Sequence, residues 1–295
     1  MNKSISAKPF IRQGWLRGLL YIIAILIATV IFVAVYTASV AGGNLQAALR
    51  GTLNPQFVQL LPFIPVLLVT FIFRRWIDRK PFVSLGLNIQ EHGKAAIAGG
   101  ALAIFLICAT ALILKMTDHL KWVDIIFDPR ALFMAMGSVL LVATYTELVF
   151  RGYLLNNLMD SFPDWLAVLI SALLFAIYNW SNINFHFDFF VLINSLIFGL
   201  ILGLYYVYTK NLWFPICFHF GWKFFLGPVL GVSESEYFQT LLETERTGDK
   251  NITGGIFGLE GSFILTGISL LALLMLYVYF QRKLSPQSQP VPGRI

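Results

Sequence analysis

An all-α, polytopic membrane protein with about eight transmembrane helices is the fold class this sequence predicts, on three observations. Apolar residues make up 58% of the chain and charged residues only 12%, far from the roughly 45–50% and 25% of a soluble domain. A window of about 20 residues finds eight apolar segments of a length suited to a hydrocarbon core of roughly 30 Å. Lys and Arg fall unevenly between alternate connections, as the positive-inside rule requires of a multi-pass chain.

The segments are 18–40, 57–74, 95–115, 131–151, 163–180, 187–208, 212–230 and 256–281. Basic residues precede the first, and Ser39-Val40-Ala41 resembles a signal-peptidase site. Its apolar run is nonetheless too long for a signal peptide, so it is expected to stay as a helix. The fifth and seventh segments are the shortest and carry polar residues. Between the fourth and fifth, Ser161 with Pro163 and Asp164 reads as a helix start. The organisation expected is a cytoplasmic segment 1–17, one transmembrane domain over 18–284 and a flexible tail over 285–295, whose Pro-, Gln- and Ser-rich text cannot build a core. The loop 232–255 is acidic and outward-facing and reads as a solvated connector, with a binding surface as the alternative. No internal repeat is evident.

Fourteen basic residues fall on the side of both termini: Lys3, Lys8, Arg12, Arg17, Arg74, Arg75, Arg79, Lys80, Lys94, Arg151, Lys210, Arg282, Lys283 and Arg294. Six fall on the other: Arg50, Lys115, Lys121, Arg130, Arg246 and Lys250. The cell membrane, with both termini cytoplasmic, is the expected placement. The net charge of +6 is then topogenic, and the bilayer itself is the first partner. No basic-aromatic interleaving suggests nucleic acid. Cys108 and Cys217 lie inside apolar segments and read as small packing residues, which excludes a disulfide frame or a Cys-based zinc site.

Ionisable side chains at the centre of a spanning helix cost about 2.5–3.5 kcal/mol each, so the few present need partners or a wet cavity. Segment four holds Thr146, Glu147 and Arg151, segment five ends near Asn179, segment six holds Asn194, and segment seven holds His219 and Lys223. Glu147 and Arg151 share a helix face, as do His219 and Lys223. A rise of 1.5 Å per residue lets segments four, five and seven bring these groups to one depth near the cytoplasmic side. Three readings follow. The first is structural, a polar pin in which Glu147 pairs with Arg151 and with Lys223 while His219 donates to a carbonyl. The second is catalytic, with Glu147 as general base on water and His219 and Asn179 donating to an oxyanion. The third is a metal or ion site, for which one His and one carboxylate are too few. A transporter would also bury charges, but paired broken helices in two related halves are missing.

The spacing of "TELVFR" (146–151), "FAIYN" (175–179) and "HFGWK" (219–223) resembles the motif order of the CPBP family of membrane endopeptidases, which includes CAAX prenyl proteases and bacteriocin-processing or immunity proteins. That family carries Glu-Glu-x-x-x-Arg, Phe-x-x-x-His and His-x-x-x-Asn (or Asp) runs on successive helices. The likeness covers 146–223 and weakens toward about 280, implying a family-like core over about 131–281. It implies a base at the position of Thr146, a His at that of Asn179 and an Asn at that of Lys223. Glu147, Arg151, Phe175 and His219 match. Thr has no accessible pKa near neutrality and cannot take a proton from water as a carboxylate does. The resemblance with these replacements implies a catalytically impaired relative that binds a membrane protein or peptide in a polar chamber. The alternative is an active endopeptidase using Glu147, His219 and Asn179, which needs Glu147 turned into the site by a π-bulge, or a base from His186 or Asp188. Neither reading calls for a cofactor or a metal.

Overall fold

The computed structural model describes residues 8–40, 55–88, 93–182, 188–233 and 239–284, and shows a helical bundle. The principal helices are α1 (Gly14–Val40), α2 (Phe63–Ile72), α3 (Gly93–Met116), α4 (Pro129–Glu147), α5 (Asp164–Asn182), α6 (Phe189–Thr209), α7 (Trp213–Phe224) and α8 (Phe263–Leu284). They coincide in order with the eight apolar segments. Five are long and apolar enough to cross a membrane: α1, α3, α4 with its continuation to Leu158, α6 and α8. The others are short for local reasons. Pro62 and Pro65 delay the start of α2, because proline withholds an N–H and is tolerated only in a first turn. In the seventh segment Pro228 interrupts the α ladder, and the chain continues as a π-helix, Phe225–Val229.

The outer surface confirms a membrane environment. Val30 and Ile31 on α1 and Leu274 and Met275 on α8 are each more than half exposed, an arrangement that water would penalise over so large an area. Glycines bring helices into close contact, as lipid-embedded packing requires. A Cβ on Gly99 of α3 would lie 2.4 Å from the Phe214 carbonyl oxygen of α7, and one on Gly199 of α6 would lie 2.9 Å from Ala172 of α5. Caps are supplied by Asp128, which accepts from the N–H groups of Arg130 and Ala131, and by Asp188, which accepts from those of Phe190 and Val191. Asp188 is therefore a helix cap and is not offered to a site as a base. The helix start expected at Ser161, Pro163 and Asp164 is present, α5 opening at Asp164, while the Ser161 hydroxyl accepts from the Trp15 N–H in the first turn of α1. His186 and the tail 285–295 lie outside the described residues.

The 232–255 loop departs from a solvated connector. Its strand β2 (Leu242–Arg246) pairs antiparallel with β1 (Leu120–Ile125), with Leu120 opposite Arg246 and Ile125 opposite Leu242. β1 is separated from the end of α3 by a short turn through Thr117 and Asp118, the latter at φ +59°. The eighth segment begins later than its apolar text suggests. Residues 254–262 form tight turns around Gly254, Gly258 and Gly261, and Phe263 opens the helix.

Two of the basic residues counted as topogenic are buried in an ionic network that joins the first helices to the fourth. Asp78, fully buried, accepts from Arg17 at 2.8 Å, Arg74 at 2.9 Å, the Tyr153 hydroxyl at 3.1 Å and Asn157 at 3.4 Å. Arg17 also reaches Asp160 at 2.5 Å. These guanidiniums hold helices together instead of meeting headgroups.

Candidate functional site

After Glu147 the fourth helix changes winding: Leu148–Leu155 is π-helical before the chain resumes as Asn156–Leu158. A π-turn adds a residue to the turn and shifts the faces that follow it. Glu147 is the last α-helical residue and Arg151 lies within the π segment, both fully buried. Arg151 Nη1 donates to Glu147 Oε1 at 2.9 Å, and Nη2 donates to the Gly199 carbonyl at 3.3 Å. The guanidinium carbon stands 4.4 Å from the centroid of the Phe175 ring, a cation–π contact that supports a buried cation.

His219 arrives from α7 and closes the group. Its Nδ1 lies 2.8 Å from the same Glu147 oxygen. A carboxylate only accepts, so Nδ1 carries the proton and donates, which fixes the tautomer. The imidazole is held edge-to-face by Phe175 and Phe198, with centroids 5.9 and 5.2 Å away, and those two rings stack at 5.3 Å. The expected carbonyl acceptor for His219 is thus replaced by Glu147. One oxygen serves both donors. The other, Oε2, is buried without a hydrogen-bond partner among the described residues, as are Thr146 Oγ1 and Arg151 Nε.

Thr146, at the position the motif gives to a base, is buried at 2% exposure and presents only that hydroxyl. Asn179 reaches neither Glu147 nor His219 by a hydrogen bond; its Nδ2 donates to Ser195 Oγ on α6 at 3.5 Å. Lys223 departs from expectation. It pairs with Glu260, its Nζ lying 2.8 and 3.0 Å from the two carboxylate oxygens, and not with Glu147. The physical reason is reach along the helix: Lys223 is one turn beyond His219, level with the turn that precedes α8, and a partly exposed carboxylate there is an easier partner than one already engaged twice in the core.

Sequence reasoning passed over Glu260 because it falls at the head of an apolar segment. The available signal was the Gly-rich text around it, "GGIFGLEGS", since a charged residue among glycines marks a turn better than a span. The Trp222 indole N–H donates to Glu260 Oε1 at 3.0 Å. Asn194 fixes the turn itself by donating to the carbonyls of Glu260 at 2.8 Å and Ser262 at 3.1 Å. Asn179, Asn194, Ser195, Phe198, Trp222, Lys223 and Glu260 line a cavity of about 10 Å³, room for roughly one water molecule.

The sequence motifs therefore occupy two adjoining places. Glu147, Arg151, Phe175 and His219 form a closed ionic core, while Asn179 and Lys223 face a small polar chamber completed by Glu260. Among the described residues no group of three or more His, Cys, Asp or Glu side chains is placed to hold a metal ion. No curated protein matches the chain. Residues 128–225 match the family described as Rce1-like, type II CAAX prenyl endopeptidase, a stretch that contains all three motifs and ends before the Glu260 turn. That match spans residues 128–225 of 295; laid over the helical bundle and the motif residues gathered within it, it makes the chain a membrane protein that is similar over this stretch to the CAAX-protease-like, or CPBP, family.

Proposed function

We propose that this protein is a catalytically silent CAAX-protease-like membrane protein that binds another membrane protein or a peptide in its polar chamber. The observation that carries the reading is the state of the two carboxylates near the motifs. Glu147 is fully buried, with one oxygen held by Arg151 and His219. Glu260 is held through both oxygens by Lys223. A general base needs a free lone pair within hydrogen-bond reach of the water it deprotonates; the Glu147 oxygen without a partner among the described residues, Oε2, is buried away from solvent, and a carboxylate paired with a cation is a weaker base. Thr146 supplies no substitute. The cell membrane, with both termini toward the cytoplasm, is the placement that goes with this reading.

Purified protein in lipid nanodiscs, given a prenylated peptide, is expected to release no product. The triple variant Thr146→Glu, Asn179→His, Lys223→Asn is expected to gain cleavage from that zero baseline. Cleavage by the unmodified protein, abolished by Glu147→Gln, would overturn the proposal.

A second reading has one observation in its favour. The 2.8 Å contact of Glu147 with His219 Nδ1 is the orienting half of a carboxylate–imidazole pair, which leaves Nε2 of the neutral ring as a proton acceptor. An active endopeptidase would then use His219 as base and Glu147 as its positioning residue. Loss of wild-type cleavage in both Glu147→Gln and His219→Ala is the signature of that reading.

A further inference from the structure

The chamber contains a built receptor for a carboxylate, and its present occupant belongs to the chain itself. Lys223 Nζ lies 2.8 and 3.0 Å from the two oxygens of Glu260, and the Trp222 indole N–H meets Oε1 at 3.0 Å. Two donors of different kinds, one cationic, thus converge on a planar two-oxygen anion, a charge-assisted arrangement stronger than neutral hydrogen bonds. Phe198 supplies an apolar wall, and Asn179 and Ser195 add neutral polar groups. Without Glu260 the chamber would carry one uncompensated positive charge.

Glu260 is placed so that its carboxylate can leave while its backbone stays. The peptide is anchored by Asn194, which donates to the Glu260 and Ser262 carbonyls, and by the turn around Gly258, whose φ of +66° and ψ of −158° only glycine adopts readily. The side chain is not sealed in. The Glu260 side chain is 23% exposed and that of Lys223 33%, so the ion pair borders open space on one side. The carboxylate that moves out vacates space continuous with the existing cavity.

We infer that Lys223 and Trp222 form a recognition site for the carboxylate of an amphiphilic ligand, a peptide C-terminus or a fatty acid, with Glu260 as a competing internal ligand that keeps the site closed when none is bound. This deepens the proposed function, on which it rests, by giving the chemistry of the group that the chamber takes. Competition from Glu260 lowers the apparent affinity by the fraction of molecules in which the site is open. Removing the competing charge should therefore tighten binding, and removing the lysine should abolish selectivity for the anion.

The test uses full-length protein in nanodiscs and a short apolar peptide carrying an N-terminal fluorophore, prepared with a free C-terminal carboxylate and as its C-terminal amide. Anisotropy titrations are expected to show the acid binding at least tenfold tighter than the amide. Glu260→Gln is expected to tighten the acid a further fivefold or more and to leave the amide unchanged, and Lys223→Met to make acid and amide equal. Glu260→Gln keeps the side-chain shape and the backbone contact to Asn194; monodisperse elution of each variant confirms that it is folded. Displacement by laurate but not by dodecanol would support the carboxylate site and assign its source to an acyl chain; resistance to laurate together with acid selectivity would assign it to peptide. Equal binding of acid and amide by the unmodified protein and by Glu260→Gln would overturn the inference while leaving a silent, peptide-binding chamber standing. Binding of neither probe by any variant would overturn it as well. Peptide cleavage by the unmodified protein would instead strike at the proposed function, a readout separate from these.

Discussion

Removing the Glu147 carboxylate tests the ionic core directly. In Glu147→Ala, Arg151 loses the partner at 2.9 Å and His219 loses its acceptor at 2.8 Å, with both residues buried. Breaking a buried pair from one side costs about 3–5 kcal/mol, because the remaining charge has no water to turn to. The void left by the missing side chain adds about 1 kcal/mol. Arg151 keeps the Gly199 carbonyl and the Phe175 face in parent and variant alike, so these contacts cancel and the net loss is about 4–6 kcal/mol. By the scaling for a chain of this size, about 1.6 °C per kcal/mol, the melting temperature should fall by roughly 6–10 °C. Thermal unfolding in detergent, followed by size-exclusion fluorescence, measures it. The double variant Glu147→Leu, Arg151→Met removes both charges and should recover at least about 2 kcal/mol relative to the sum of the two single changes. An alanine variant that melts within 2 °C of the parent, or a double variant whose loss equals the sum, would show that the carboxylate is not neutralised as described.

Two further outcomes are expected. Asp78→Ala should be more damaging than Glu147→Ala, since it strips one acceptor from four donors and leaves two buried guanidiniums, with Arg17 retaining only Asp160; a loss of about 3–5 kcal/mol or more, read as reduced membrane accumulation and a lower melting point, checks it. Gly258→Ala should destabilise by roughly 1–3 kcal/mol through its backbone conformation alone, and more in practice, since the added Cβ would lie 1.9 Å from the Val232 carbonyl oxygen. Unfolding of that variant at the parental temperature would mean that the turn carrying Glu260 is freely remodelled.

How much of this was legible in the sequence depends on whether a residue's partner is near it along the chain. Composition alone fixed the class, because a chain this apolar with so few charges has no stable solution in water. The order of the helices was readable for the same reason: hydrocarbon thickness sets segment length without reference to neighbours. The pairing of Glu147 with Arg151 was readable too, since four residues on one helix are adjacent by geometry. Motif spacing placed Phe175 and His219 beside them.

Tertiary structure decided everything that needed a partner from elsewhere in the chain. Whether Lys223 would meet Glu147 or some other acid could not be read from its own helix, and the answer came from a glycine turn 37 residues downstream. Arg17 reads as a topogenic charge because its partner Asp78 lies far along the chain; Arg74 has Asp78 four residues on, a spacing that sequence does show, but only the folded bundle brings both guanidiniums to the one buried carboxylate. The pairing of β1 with β2 joins residues some 120 positions apart, beyond the range of any local pattern. A buried charge has to be neutralised, so the sequence announces that a partner exists. Which residue supplies it is chosen by distance in three dimensions, and here that choice separates a sealed ionic core from the chamber beside it.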